Sequence, residues 1–234
     1  AAIRFVERYP RVSVHLHARN WDELLRELRS RELDFFVAET STLQQEPDLE
    51  IAPMPSAHAL HFVARQGHPL AGRGTVGVEE VLAYPFVAPS RIPPRVLDPM
   101  LAAHRASVQR PEHARPFPSI QCNGLAPAKR ILASSDAVSA TILSCIAGEL
   151  ERGQFVLLGT TPWLHLRYGI VSLKGRPWTQ AAEALCEFVL EAEHQAAAEE
   201  HRLLKRFRPG ARRSSSRARK NARRGGHTDV HGDD

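Results

Sequence analysis

The chain has 234 residues and a hydrophobic content of 43%, which is enough to bury a core. Of its 31 Lys and Arg residues, 11 fall between Arg202 and Arg224, and the part up to His201 carries the other 20 against 23 acidic residues. The positive charge therefore belongs to the C-terminal segment, which excludes a nucleic-acid-binding surface spread over the folded body.

The cysteines and histidines predict no metal site and no cofactor. Cys122, Cys145 and Cys186 lie far apart without Cys-x-x-Cys spacing, which excludes a disulfide framework and a structural zinc site. His15 and His17 lie two apart on one predicted strand face, and we interpret them as exposed side chains rather than metal ligands.

The hydropathy pattern excludes a membrane-spanning helix, because no apolar run approaches the ~20 residues that one needs. No signal peptide is visible, so a cytoplasmic protein is expected. Since the sequence starts at Ala1 rather than Met, we expect the natural protein to begin upstream.

The first 38 residues predict helices that alternate with strands. Asn20, with Glu23 three residues later, matches a capping box at the start of a helix. Apolar and polar residues alternate over 11–18, which is typical of a strand with one buried face. In chain order, the predictions are a helix at 1–9, a strand at 11–18, a helix at 20–30 and a strand at 33–38. This order is typical of a parallel α/β sheet.

The rest of the chain continues the mixed pattern until residue 206. Gly153 follows a short helical segment in the manner of a C-cap. The predicted strands are 59–64, 84–88, 120–122, 137–143, 154–158 and 168–173. The predicted helices are 78–83, 95–108, 127–132, 144–152 and a long amphipathic helix after Pro177.

Residues 207–234 are rich in Arg, Ser and Gly and carry few apolar side chains. Such a segment cannot bury enough surface to offset its ordering entropy, so it is predicted to be a disordered basic tail. It is interpreted either as a basic arm for nucleic acid or acidic lipid, or as a solvated extension.

Several strings in this order resemble the effector-binding domain of LysR-type transcriptional regulators over nearly all of residues 1–206. They include Phe-Val-Glu-Arg-Tyr-Pro-Arg-Val-Ser-Val at 5–14, Leu-Arg-Ser-Arg-Glu-Leu-Asp at 28–34, Gly-His-Pro-Leu-Ala at 67–71 and Glu-Arg-Gly-Gln-Phe-Val-Leu-Leu at 151–158. Each string alone is weak, and the resemblance depends on their order and spacing together.

The resemblance implies an α/β fold with two Rossmann-like lobes, the type 2 periplasmic-binding-protein fold. Lobe I would comprise residues 1–59 and 175–206, and lobe II residues 60–174. The family's first strand and the loop after it are absent from this sequence, so the fold is expected to be N-terminally truncated.

The same resemblance implies partners and a mechanism. A small-molecule effector, such as an organic acid or a sugar-derived compound, would bind in the cleft between the lobes and shift their arrangement. Helix 1–9 and strand 11–18 would pair subunits into dimers or tetramers, and a winged helix-turn-helix upstream would bind DNA. A periplasmic-type solute-binding protein, which shares the fold, is the alternative. No catalytic constellation is found, so an enzyme is not expected.

Two pairs of candidate effector-binding residues follow from this layout. Asn20 and Trp21 begin a helix, whose free amides favour an anionic ligand. Ser90 and Arg91 follow the strand at 84–88, and Arg91 could pair with a carboxylate. The alternatives remain that Asn20 is a simple helix cap and that Ser90 and Arg91 belong to an ordinary surface loop.

Three further residues are candidates for the effector site, and Cys122 and Asn123 are expected on its opposite wall. Cys122 and Asn123 follow the strand at 120–122, although Cys122 is also interpreted as a small buried hydrophobe. Glu39 occupies a position where some family members carry an Arg that holds the effector, which argues against transferring any particular effector. Arg31 stands where a Gly often ends the second helix, another departure from the family pattern.

Overall fold

The computed structural model describes residues 1–74, 76–108 and 115–207, which form two β-sheets and the helices packed against them. Of the tail predicted at 207–234, all but Phe207 lies outside the described residues. The helices are α1 (Ala2–Arg8), α2 (Trp21–Arg29), α3 (Val78–Leu82), α4 (Pro94–Ser107), α5 (Leu125–Ser134), a 3-10 helix (Leu143–Ile146), α6 (Ala147–Glu151) and α7 (Gln180–Arg206). The strands are β1 (Phe36–Glu39), β2 (Leu49–Ala59), β3 (His61–Arg65), β4 (Phe86–Ala88), β5 (Ile120–Gln121), β6 (Val138–Thr141), β7 (Phe155–Gly159) and β8 (His165–Leu173). Within these ranges, no helix is long and apolar enough to cross a membrane.

The strands divide into a first sheet, in the order β1-β8-β2, and a second sheet, in the order β5-β4-β6-β3-β7. In the first sheet β8 runs antiparallel to both neighbours, and Glu39 lies opposite Tyr168. In the second sheet β4 runs parallel to β5 and β6, while β3 is antiparallel to β6 and β7. The parallel pairing predicted for the start of the chain is wrong for the first sheet, because β8 returns late in the chain and lies between β1 and β2.

The position of β8 bears on the expected lobe boundaries, which stay a prediction. Residues 60–174 were predicted to form one unit, yet His165–Leu173 hydrogen-bonds to both strands of the first 59 residues. The chain therefore re-enters the first sheet at residue 165. The apolar pattern of this strand predicts that it is buried but contains nothing that selects its partner strands.

The segment at 11–18 is not a strand, contrary to the prediction. Val12 and Val14 are half-buried, but Leu16 is 73% exposed and no described strand lies beside this segment. An extended segment with alternating polarity needs hydrogen-bonded neighbours to be stable, since a lone strand leaves its backbone groups without partners.

Strand β2 was not predicted from the sequence, because two prolines obscure it. Pro53 and Pro55 remove backbone donors, and the register of β2 against β8 shifts between Pro53 and Ala57. Proline is tolerated in edge strands and at bulges, and β2 lies at the edge of its sheet.

Helix α2 forms as predicted and packs against the first sheet. The backbone N–H of Asn20 donates to the Glu23 carboxylate over 3.2 Å. After the helix, Arg31 adopts a left-handed backbone with φ of 65°, the conformation that explains why the resemblance expects glycine there. The predicted apolar stripe of the helix is buried at Leu24, Leu25 and Leu28.

Two connections and one long helix join the sheets. The connections at 59–61 and 159–165 lie side by side, since Leu60 N–H donates to Leu164 O over 2.9 Å. Helix α7 packs Phe188 against α1, at 5.7 Å between its ring centre and that of Phe5. Fifteen residues later, Leu203 is fully buried in the core of the second sheet. Helix α7 thus contacts both halves of the molecule.

Candidate functional site

A cavity of about 560 Å³ lies between the two sheets, and we call it the cleft cavity. The parallel strands β4, β5 and β6 end at one edge of the second sheet, and the residues that follow them line the cavity. The first sheet contributes Glu39 from β1 and Leu166 and Tyr168 from β8. Carboxyl ends of parallel strands and junctions between sheets are the expected places for ligands in α/β proteins.

Most of the cavity lining is apolar. These side chains come from β4, α4, α5, β6, the 3-10 helix and β8 and from the adjoining loops: Leu60, Phe86, Val87, Ala88, Pro89, Ile92, Pro93, Pro94, Val96, Met100, Leu125, Ala128, Leu132, Ala140, Ile142, Ile146 and Leu166. Several of them, including Val96 and Met100, also belong to the core beside the second sheet. The cavity is therefore continuous with a well-packed apolar region.

Five of the seven residues predicted for the site line this cavity: Trp21, Glu39, Arg91, Cys122 and Asn123. The other two, Asn20 and Ser90, do not. Asn20 instead caps α2. Ser90 donates from its backbone N–H and its hydroxyl to Asn123 Oδ1, over 2.9 and 3.0 Å, and so holds that side chain in place. The role of these residues in ligand binding stays a prediction.

Glu39 forms an ion pair across the cleft cavity. Both Nε and Nη2 of Arg95, on α4, donate to Glu39 Oε1, over 3.1 and 2.9 Å. The other carboxylate oxygen accepts from the backbone N–H and hydroxyl of Ser41. Since the Glu39 side chain is only 10% exposed, this contact links β1 to α4 away from bulk solvent.

Arg91 is also paired across the cleft. Its Nη2 donates to Asp22 Oδ2 on α2 over 3.0 Å, and the Arg91 side chain is 57% exposed. The pairing with a ligand carboxylate that the sequence predicts would require this contact to be displaced. Asp22 Oδ1 is buried without a hydrogen bond within the described residues, so the aspartate itself is only partly satisfied.

Lys129 is the remaining charged residue of the lining. Its Nζ donates to Glu149 Oε2 over 2.9 Å. Burial raises the pKa of Glu149, but the hydrogen bonds from Lys129 and the backbone, with the charges of Lys129 and Arg152, together hold the pKa below its usual value. The Glu149 carboxylate is thus charged at neutral pH.

Hydroxyl and thiol groups supply the uncharged polar lining. Burial raises the pKa of Tyr168 to about 12 and that of Cys145 above its ordinary range, so both keep their protons. Neither Tyr168 nor Thr141 forms a side-chain hydrogen bond to another described residue. Cys122 is half-buried and its thiol donates to Gly124 O at 3.4 Å.

The sequence of residues 2–193 matches the family model described as the LysR substrate binding domain. The chain belongs to this family. It is 33% identical over 195 residues to the SDS degradation transcriptional activation protein of Pseudomonas sp. (strain ATCC 19151). That match covers 81% of this chain and 60% of the relative, so the chain spans about three fifths of that protein.

Solved structures show the same fold. The regulatory domain of Synechocystis PCC6803 CcmR, in complex with 2-PG, has a TM-score of 0.63 and 18% identity over 82% of this chain and 88% of that one. The effector binding domain of QuiR, in complex with shikimate, has a TM-score of 0.60 and 17% identity over 83% and 88%. The type 2 periplasmic-binding-protein fold predicted from the sequence is confirmed.

In this LysR-type domain a buried polar cluster lies beside the cavity residue Tyr168. His58, at the end of β2, places Nε2 2.7 Å from Glu193 and Nδ1 3.0 Å from Glu200, two carboxylates of α7. Ser144, in the 3-10 helix, donates to Glu200 over 3.1 Å. We call His58, Glu193, Glu200 and Ser144 the α7 cluster. Through these four residues, helix α7 joins β2 to the second sheet.

The α7 cluster favours a charged imidazole. Burial lowers the pKa of His58, but the hydrogen bonds that it donates to both carboxylates, with their negative charges, outweigh this effect and raise the pKa above its usual value. The His58 side chain is 4% exposed, so the ion pairs are screened little by solvent.

Two other histidines, His17 and His61, have ordinary roles. His17 lies 2.6 Å from Glu27, whose pKa is lowered chiefly by that hydrogen bond. His61 is buried, and burial lowers its pKa. Throughout the part of the chain that the structure describes, no three potential ligands are grouped to hold a metal ion.

Sequence reasoning missed Lys129, Thr141 and Tyr168 as cavity residues. Thr141 lies near the end of a predicted strand, which was the available indication for it. Tyr168 gave no such indication, since it lies within β8 and its place in the cavity depends on the return of that strand to the first sheet.

Proposed function

We propose that this chain is the effector-sensing domain of a DNA-binding transcriptional regulator. The observation that carries the proposal is the cleft cavity, enclosed by both sheets of a LysR substrate binding domain. A small molecule bound there contacts β1 and β8 on one side and β4, α4 and α5 on the other. Such a ligand stabilises one arrangement of the two sheets over others.

The proposed division into lobes follows the sheets. One lobe comprises the first sheet with α1, α2 and the start of α7; the other comprises the second sheet with α3 to α6. The Glu39–Arg95 and Arg91–Asp22 pairs join the lobes across the cavity. A ligand that enters changes the geometry of these pairs, and this is how binding alters the domain.

We also propose how the whole regulator binds DNA and associates. A winged helix-turn-helix would bind DNA, and copies would associate into dimers or tetramers in the cytoplasm. Support comes from the relative described as a transcriptional activation protein and from the regulatory-domain neighbours. The exposed apolar residues Ile3 and Val6 of α1, and Tyr9 directly after it, favour that helix as the contact between copies.

Two other functions receive less support. A solute-binding protein shares the fold, but the matching family is the LysR substrate binding domain. Catalysis is not part of the proposal, because the cavity groups are ion-paired or protonated and include no nucleophile next to a base.

The proposal is tested by ligand-induced stabilisation. We expect at least one compound from a panel of small organic acids, sugars and alcohols to raise the melting temperature of this chain, because a ligand that binds only the folded state stabilises it. The variant Ala128→Phe, which projects a ring into the cavity from α5, is expected to abolish the shift. Ala133→Phe places the same ring on the exposed face of α5 and serves as the control.

The outcome that contradicts the proposal is equally specific. If every compound that raises the melting temperature does so equally in wild type and Ala128→Phe, binding occurs elsewhere and the cavity is not the sensing site.

A further inference from the structure

The chemistry of the cleft cavity selects among ligand classes. Resting on the proposed function, we propose that its ligand is an uncharged, mainly hydrocarbon molecule with a hydroxyl group, of the class of medium-chain alcohols. This differs from the organic acid or sugar-derived compound expected from the sequence. The reason for the difference is the chemistry of the cavity lining.

The apolar lining is the first argument. Leu60, Phe86 and Met100 form one side with the second sheet, while Leu166 lines the opposite side. A sugar would leave its hydroxyls against these surfaces without hydrogen bonds, which is costly. A hydrocarbon chain gains free energy there by leaving water.

The charges of the lining are the second argument, because each is already neutralised. Glu39 is paired with Arg95, Arg91 with Asp22 and Lys129 with Glu149. An anionic ligand would have to break one of these pairs and leave a protein carboxylate without its partner. For Lys129 that carboxylate, Glu149, is mostly buried and would keep only the exposed Arg152 as a partner, which makes the exchange unfavourable.

The free hydroxyl groups are the third argument. Tyr168 and Thr141 line the cavity from opposite sheets, and neither side chain is hydrogen-bonded to another residue of the described part. Each hydroxyl can donate and accept. The burial of Tyr168 keeps its proton in place, which suits it to donate to a neutral oxygen.

The test compares ligands that differ only at one end. The probes are 1-octanol, 1-decanol, octanoate and decanoate, each titrated into this chain at pH 7.5 by calorimetry and thermal shift. We expect decanol to bind at least tenfold more tightly than decanoate. We also expect about a three- to fourfold gain in affinity per methylene, equivalent to about 0.8 kcal/mol, until the cavity is filled.

Two variants locate the binding. Ala128→Phe is expected to weaken decanol binding more than tenfold, with Ala133→Phe unchanged. If Ala128→Phe does not fold, Tyr168→Phe decides instead, because it removes only a hydroxyl. It is expected to weaken decanol binding about fivefold, equivalent to about 1 kcal/mol, and to leave the methylene increment unchanged.

The outcomes separate the ligand class from the function. If organic acids or sugars bind in the cavity and the alcohols do not, the sensing function stands and the ligand class is overturned. Equal binding of decanol and decanoate also overturns it. If no probe or panel compound binds the cavity, both proposals fail.

Discussion

Two kinds of contact hold the halves of this domain together, and they differ in burial. The pairs Glu39–Arg95 and Arg91–Asp22 span the cleft cavity directly, and Arg91 is mostly exposed. The α7 cluster links the same halves through a helix, and His58 is almost completely buried between two carboxylates. Exposed pairs contribute little to stability and rearrange easily, whereas a buried one is costly to break. We therefore interpret the α7 cluster as a fixed connection between the halves and the two pairs across the cavity as adjustable contacts.

Removing His58 is the largest predicted perturbation. His58→Ala leaves Glu193 and Glu200 buried together without their shared cation, which is expected to lower the free energy of unfolding by about 3 kcal/mol. Urea denaturation followed by circular dichroism measures this. His15→Ala, at an exposed position, is the control and should change the value by less than about 0.5 kcal/mol. A similarly small loss for His58→Ala would show that the cluster is not a fixed connection.

The same contact predicts a pH dependence with a definite sign. The pKa of His58 is raised in the folded state, so its stabilisation is complete below the unfolded value near 6.5 and is lost as pH rises through the folded value. Burial lowers the pKa values of His61 and His68, which act in the opposite direction. The measurement is therefore the difference in unfolding free energy between wild type and His58→Gln from pH 6 to pH 9. This difference should shrink as pH rises, and a constant or growing difference contradicts the assignment.

The half-buried pair across the cavity should give an intermediate effect. Glu39→Gln keeps the shape of the side chain and removes its charge, so Arg95 loses its partner but stays within reach of solvent. We expect a loss of about 1 kcal/mol in the free energy of unfolding. Glu50→Gln, exposed on β2 and without an ion pair in the described ranges, is the matched control. A loss of about 3 kcal/mol or more in the free energy of unfolding would show that this pair is a fixed connection like the α7 cluster.

The sequence predicted the residues at the cleft cavity better than those of the α7 cluster. Arg91, Cys122 and Asn123 follow strands, and because those strands are parallel their ends meet at the cavity whatever the loops do. Glu39 was selected by resemblance. Its partner Arg95 was not predicted, since that contact depends on how α4 lies relative to β1.

The α7 cluster could not be predicted from the sequence, for a different reason. His58 lies in a strand that Pro53 and Pro55 obscured, and its carboxylates are 135 and 142 residues away. An acidic residue on an amphipathic helix is usually solvated, so Glu193 and Glu200 gave no sign of burial. Local patterns predict which residues form an element, whereas such a cluster depends on how distant elements pack.

The exposed pair should give the smallest stability effect and the most informative one for ligand sensing. Arg91→Ala removes a contact that is open to solvent, so the free energy of unfolding should change by less than about 0.5 kcal/mol, and the change should vanish in 1 M NaCl. If cross-cleft contacts are adjustable, the same variant should still alter the affinity of a cavity ligand, because one of the restraints on the two sheets is gone. Calorimetric titration with 1-decanol in parallel with Arg73→Ala, an exposed arginine paired only on the second-sheet side, separates the two effects. Equal affinities for both variants and wild type would mean that the Arg91–Asp22 pair plays no part in how the cleft responds to its ligand.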